Sequence, residues 1–374
     1  MTDYSLWEVE AFGATWDVCI VGGGITGLST GISLLETFPG IRVLILDRWH
    51  LPLGASTRNA GFSCFGSPTE MLEDIRNMGQ SATHDLIRQR YEGLIKLRSR
   101  LDSNKADYHN WGGYEVYHQE EFDLVMDNLS ELNRLAGDAI GPQEVFRNVD
   151  VPDGIHGFYG AVFNPFEGQL HPGKMIRQLR EIYTGLGGQM ITGFDVSEIE
   201  DDQHGQAIIR GDLSYPVIAR KVVVTTNAFA ARLLPGLDVR GARNQVMVTS
   251  PVNGLPWKGC FHFDRGYFYF RNIGDRILLG GARNCDPDVE NTEAFGFNEV
   301  ITEALESFLF THLLHPDQAM VEYRWTGIIG IGPQKLPLIE RVSPNVFAGV
   351  RLSGMGIALA STIGDKLAAM VWQQ

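Results

Sequence analysis

WDVCIVGGGITGLSTGISLLETFPGIRVLILD, running from Trp16 to Asp47, is the stretch whose reading decides the fold. Trp16 to Val21 is short, apolar and β-branched, the pattern of a buried strand. Gly22, Gly24 and Gly27 follow as G-x-G-x-x-G. Leu28 to Phe38 has helical spacing, closed by Pro39-Gly40, and Ile41 to Leu46 is a second apolar strand ending in Asp47. This is a βαβ unit with its glycines at the strand-to-helix turn. The first permits the tight turn, the second lets a diphosphate approach the backbone, and the third lets helix and strand pack closely. Helix-start amides at Ile25 and Thr26 face the phosphates, and Asp47 is placed to accept ribose hydroxyls. The unit specifies a dinucleotide without separating NAD from FAD.

Outward from it, Thr69 to about Leu101 is amphipathic and helical, and Leu124 to Leu135 is another helix candidate. Pro172 to Leu186 reads as a helix, with strands at Gln189 to Thr192, Val196 to Ile199, Ala207 to Arg210 and Val217 to Thr226. Gln245 to Ala282 alternates apolar and polar residues between turns, the sign of an antiparallel sheet. Val346 to Val350 is a short strand, and Gly356 to Trp372 a closing helix. No repeat or Ser/Pro-rich linker separates these parts. The expected fold is α/β (α+β overall), a Rossmann-type nucleotide domain interleaved with an antiparallel-sheet substrate domain. The nucleotide domain is assigned residues 1–101, 166–235 and 321–374; the substrate domain takes 102–165 and 236–320.

Composition narrows the function classes. The chain has 374 residues, 44% of them hydrophobic and 20% charged, as in ordinary globular proteins. A net charge of −14 argues against nucleic acid, whose phosphates call for Lys and Arg. Four scattered cysteines without a CxxC pair suit a reducing compartment. MTDYSLWEVE has no basic stretch leading into an apolar one, so no secretory signal is expected. No apolar run reaches the ~20 residues of a transmembrane helix. A cytoplasmic protein is the expectation. No metal-ligand spacing and no G-x-S-x-G elbow is visible.

Three further segments carry a resemblance. Gly54-Ala55-Ser56-Thr57-Arg58-Asn59-Ala60-Gly61, after Asp47-Arg48, is similar to the G-A-S-x-R-N-x-G loop of flavin amine oxidases. Val222 to Ala228, with Thr226 and Asn227, resembles their strand-to-turn segment. Lys335 to Ile339, Phe347 to Gly349 and Ser353 to Gly356 resemble their closing stretch. From residue 17 to 364 the chain thus resembles the D-amino-acid oxidase/glycine oxidase/sarcosine oxidase family, most closely its gamma-glutamylputrescine-oxidase-like members. The resemblance implies FAD, with the 55–61 loop passing under the diphosphate and along the flavin. Arg48, Val196, Thr226 and Asn227 would reach the cofactor, and Gly354, Met355, Gly356 and Ile357 would bring a positive helix end to the flavin's pyrimidine edge. No cysteine lies between Val321 and Lys366, where sarcosine-oxidase-like members attach flavin, so noncovalent FAD is expected. The lysine those members carry after the final Gly-x-Gly is replaced here by Ile357-Ala358.

For substrate, the resemblance implies a small amine or amino acid losing hydride to flavin, with oxygen or another acceptor taking the electrons. In a strand at Gly266 to Arg271, Tyr267, Tyr269 and Arg271 share one face and Phe268 and Phe270 the other. Two phenols and an arginine suit a carboxylated amine, and Tyr267 matches a tyrosine of glycine oxidases. One departure stands out. Trp325-Thr326-Gly327-Ile328-Ile329 has Ile329 where the family's Trp-x-Gly-x-Arg places its carboxylate-pairing arginine. Arg351, Arg58, Arg324 and Arg271 are candidate replacements, in that order. His50, His171 and His262 are the acid–base candidates. A 2-hydroxyacid or polyol-phosphate dehydrogenase, or a flavin-bearing assembly factor without turnover, remains an alternative.

Overall fold

The computed structural model describes residues 5–8, 15–202, 205–212 and 216–372. Most of the opening decapeptide discussed above lies outside them. Trp16–Val21, Ile25–Thr37 and Val43–Asp47 form strand, helix and strand as expected. The helix starts three residues earlier than its apolar spacing suggests, because Gly24 is its extended N-terminal flank.

Two eight-stranded sheets make the framework. Across the first the main order is Leu338–Arg341, Val346–Val350, Val217–Val224, Trp16–Val21, Val43–Asp47 and Gln189–Thr192. The four pairings from Val346–Val350 to Gln189–Thr192 are parallel. Such strands are covered on both faces, and Val18, Ile20 and Ile45 join one apolar cluster while Cys19, Leu44 and Leu46 join another. Val196–Asp201 and Ala207–Gly211 extend this sheet antiparallel from Val217–Val224.

The second sheet runs Val321–Ile331, Arg240–Thr249, Arg276–Gly281, Phe268–Ile273, Cys260–Phe263, Gly113–Tyr117, Gly160–Asn164 and Arg147–Val149. Its pairings are antiparallel except that of Cys260–Phe263 with Gly113–Tyr117. One face carries stacked aromatic rings, with Phe261 and Phe270 4.8 Å apart and Phe268 and Phe308 also 4.8 Å apart. The mixed α/β architecture is the one anticipated.

Three details differ from the sequence reading. Helix 69–101 is two helices, Pro68–Met78 and Gln80–Arg100, since Gly79 between them has φ +84°. Val321–Ile331, assigned to the nucleotide domain, instead pairs along Arg240–Thr249 in the second sheet. The late return to the first sheet therefore begins with Leu338–Arg341. Gln119–Ile140, assigned to the substrate domain, buries Val125, Leu132 and Leu135 in the cluster shared with the dinucleotide helix. Among the described residues, no helix is long and apolar enough to cross a membrane.

Candidate active site

The parallel strands end at a cavity of about 600 Å³, at the edge where such sheets bind ligands. Part of its wall is built by the first βα turn. Gly22 has φ +110°, and its amide donates to Leu46 O at 2.8 Å. Thr225 then locks the neighbouring strand against the turn, its amide donating to Val21 O and its hydroxyl to Gly22 O at 3.0 Å. Gly27 is the close-packing position. A Cβ there would stand 1.9 Å from Gly22 O.

Asp47 sits where the sequence puts it and has a second task. Its Oδ2 accepts the Gly23 amide at 2.7 Å and its Oδ1 the Trp49 amide at 3.0 Å, so it shapes the glycine turn. Ser56 Oγ accepts the Ile25 amide at 2.9 Å, joining the 55–61 loop to the helix start. Arg48 lies between two rings, 3.9 Å from the Trp49 centroid and 4.1 Å from that of Phe229. Burial holds its pKa below the usual arginine value.

The 55–61 loop is fastened from several sides. Asn59 Nδ2 donates to Ala55 O and Ser56 O, and Asn59 Oδ1 accepts the Gly61 amide at 2.8 Å. The Trp325 indole donates to Arg58 O at 3.0 Å, and Arg58 Nη1 to Thr326 O at 2.7 Å. Gly327 brings its strand against Arg58, for an added Cβ would lie 3.1 Å from Arg58 Cβ. Trp-x-Gly thus holds the loop, whatever follows it. At the far side Asn227, at φ +49°, accepts the Arg351 amide at 3.0 Å, and Ser353 and Gly354 turn the chain into Gly356–Val371.

Of the predicted cofactor residues, all but Gly27 and Thr57 line the cavity. Gly27 lies beneath the turn, and the Thr57 hydroxyl is bonded back to Pro52 O within its own loop. Tyr267 and Tyr269 also line it, with His262, Glu70, Lys335 and Ile329.

Two predicted substrate arginines are elsewhere. Arg351 directs Nε to Leu336 O at 3.0 Å and Nη1 to Asp238 Oδ2 at 3.0 Å. Arg271 donates to Ala60 O at 2.5 Å and Leu170 O at 3.1 Å, tying the second sheet to the cofactor loop. Neither lines the cavity. Alternation put Arg271 on the face of Tyr269, but its guanidinium is taken up by Ala60 O and Leu170 O. Arg58 lines the cavity but is bonded as above, and Arg324 pairs with Glu306 at the exposed end of its strand.

Of the histidines, His171 caps the helix Pro172–Gly185 and His50 is exposed. His262 is buried, edge-on to Phe62 at 5.1 Å, with Nε2 unpartnered. Burial outweighs the nearby Glu70 charge and lowers its pKa to about 4, so it is neutral at pH 7. Burial would raise the Glu70 pKa, but Arg90 at 3.2 Å and Lys335 hold it below the usual value. Lys335 in turn contacts Glu73 at 2.9 Å and Asp74 at 3.1 Å. The grouping of Glu70 with Lys335 is purely tertiary, and no spacing in the sequence signals it.

The donor set suits a long, anionic, partly aromatic ligand. Thr226 Oγ1 is buried at the cavity without a protein partner. Helix-start backbone and an aromatic-flanked arginine suit a diphosphate, and the strand-end aspartate suits ribose hydroxyls. The family model described as FAD dependent oxidoreductase matches residues 17–370. The chain belongs to that family. Gamma-glutamylputrescine oxidoreductase of Escherichia coli K12 is 24% identical, over 96% of this chain and 84% of its own. Glycine oxidase of Geobacillus kaustophilus is also 24% identical, over 84% and 81%. L-proline dehydrogenase of P. horikoshii superposes with a TM-score of 0.78 at 12% identity, covering 96% of this chain and 93% of that one. In this FAD-dependent oxidoreductase the glycine turn, Asp47 and the 55–61 loop are the elements that could hold FAD.

Proposed function

We propose that the enzyme oxidises the C–N bond of a small amine or amino acid, giving an imine that hydrolyses. FAD, held without a covalent bond, supplies the hydride acceptor and passes the electron pair to oxygen or another acceptor. One observation carries this reading. The cavity lined by the cofactor-loop residues continues to Tyr267, Tyr269 and His262, all able to hydrogen-bond, with the buried His262 imidazole neutral at pH 7. The phenols and imidazole orient a neutral amine and accept its N–H protons, fixing the carbon–hydrogen bond to be broken. Burial pushes the Tyr269 phenol well above its usual pKa, so it remains a donor. Phe62 packs edge-on against both His262 and Tyr269, adding apolar surface beside them. The relatives named above, whose names point to amines and amino acids, support the same chemistry.

The test is anaerobic mixing of the flavin-loaded enzyme with amines, amino acids, N-methyl amino acids and 2-hydroxy acids. Loss of the flavin absorbance with one of the nitrogen compounds is the expected result. Bleaching by hydroxy acids alone, or by none of the panel, refutes the amine assignment.

A further inference from the structure

With Ile329 in place of the family's arginine, the question becomes which cation of the cavity wall is available to a substrate. Six side chains qualify by position: Arg48, Arg58, Arg232, Arg265, Arg283 and Lys335. Arg48 is held between Trp49 and Phe229 beside Asp47, at the nucleotide end. Arg58 is bonded to Thr326 O. Arg232 pairs with Glu293 at 2.7 Å, Arg265 with Asp264 at 2.7 Å, and Lys335 with its carboxylate group. Among the described residues neither Arg48 nor Arg283 has a carboxylate or carbonyl bonded to its guanidinium, but Arg48 is closed in between two rings at about 4 Å, whereas Arg283 has only the Tyr267 ring, at 6.0 Å.

Its surroundings explain why. Asp264 is the nearby acid, and both of its oxygens are engaged. Oδ1 accepts from Arg265 and Oδ2 from Asn284 Nδ2 at 2.9 Å. The Asn284 bond anchors the residue next to Arg283 without touching Arg283 itself. The backbone fixes where Arg283 starts. Ala282, at φ +58°, donates its amide to Tyr267 O at 2.6 Å, and Gly281 lies so near that carbonyl that a Cβ would be 1.9 Å away. The end of Arg276–Gly281 is thereby clamped to Tyr267, and Arg283 follows as the first residue of a 3-10 turn. Its guanidinium carbon is 6.0 Å from the Tyr267 ring centroid. Tyr269 precedes it on the facing strand, its ring packed over Gly280.

We propose that Arg283, with the phenols of Tyr267 and Tyr269, binds the carboxylate of the substrate, replacing from the sheet hairpin the anchor that Ile329 cannot provide. This rests on the amine-oxidation reading and narrows it to amines that carry a carboxylate. An unpaired guanidinium in a partly enclosed aromatic setting favours a planar anion that can take two N–H donors at once. The phenolic hydroxyls donate to the same anion. Ile329 and Ile328, on the strand from which the family's arginine would come, leave an apolar wall for the substrate's remaining groups.

The experiment uses the flavin-loaded enzyme and two probes of matched shape, benzoate and benzamide, read by perturbation of the flavin spectrum. Benzoate is expected to bind and benzamide to bind far more weakly. Arg283→Met should weaken benzoate about 10- to 100-fold, the usual loss of a charged hydrogen-bonding partner. Arg283→Lys should recover part of it, with flavin content confirming that both variants fold. Should Arg283→Met not fold, Arg283→Gln and Arg283→Lys supply the comparison. Equal binding of the two probes, no response to benzoate, or a Kd unmoved by substitution overturns the proposal. If carboxylates bind through Arg283 yet no nitrogen compound bleaches the flavin, the amine reading fails and the anion site stands. If amino acids are oxidised with KM unchanged in Arg283→Met, the anion site fails and the amine reading stands.

Discussion

Substituting alanine at two glycines of the same turn separates packing from cofactor binding. At Gly27 the new methyl would stand 1.9 Å from Gly22 O and 2.8 Å from Thr225 Oγ1. Ordinary contact needs roughly 3.5 Å, so the helix must withdraw by about 1.5 Å from backbone that cannot yield. That motion strains the Thr225 hydroxyl bond to Gly22 O at 3.0 Å. Overpacking of this kind costs about 3 kcal/mol, which over 374 residues lowers Tm by about 4 °C in the apoprotein. At Gly24 the methyl meets the Ser56 side chain, Oγ at 2.9 Å, and moving that hydroxyl costs at most its bond from the Ile25 amide, about 1 kcal/mol. The Gly24→Ala apoprotein should therefore melt within about 1 °C of the parent. It should nevertheless bind FAD at least about tenfold more weakly, because Gly24 lines the cavity. Thermal unfolding of flavin-free protein and fluorescence titration with FAD read the two effects. A Gly27→Ala apoprotein as stable as the parent, or a Gly24→Ala protein with full FAD affinity, refutes the reasoning.

Asp47→Asn presents an amide to a site that receives two backbone N–H groups. FAD affinity should fall about 10- to 100-fold in equilibrium dialysis. Arg351→Met removes bonds to Leu336 O and Asp238, and should cost about 1–3 kcal/mol in urea unfolding while leaving benzoate binding unchanged. His262 sets a pH window. Its folded pKa, about 4, lies below the unfolded value of about 6.5, so between these values the unfolded chain binds more protons and stability falls with falling pH. The largest contribution is about 3 kcal/mol at the acid end. Urea titrations of the apoprotein from pH 4 to 6.5 should be flatter with pH in His262→Gln than in the parent; parallel curves would contradict the assignment.

Local pattern was enough for the nucleotide half. Trp16–Val21, the glycine turn and Val43–Asp47 are contiguous, and each constraint there is a property of neighbouring residues: apolar strands, positive φ, an acid at a strand end. The 55–61 loop was singled out by resemblance to the G-A-S-x-R-N-x-G stretch of a known family and not by local pattern. Tertiary structure decided the substrate half. Alternation gave Arg271 a face but could not show that Ala60 O and Leu170 O would capture its guanidinium. Position in the closing stretch suggested Arg351, yet Asp238, more than a hundred residues away, takes it up. Arg283 carries no pattern at all. Its availability follows from two partnerships made elsewhere, Arg265 and Asn284 on Asp264, and from a strand end clamped to Tyr267. A chain segment dictates its own dihedral angles and periodicity. Which charges remain unpaired depends on what distant segments bring beside them, and that is settled only when the sheets pack.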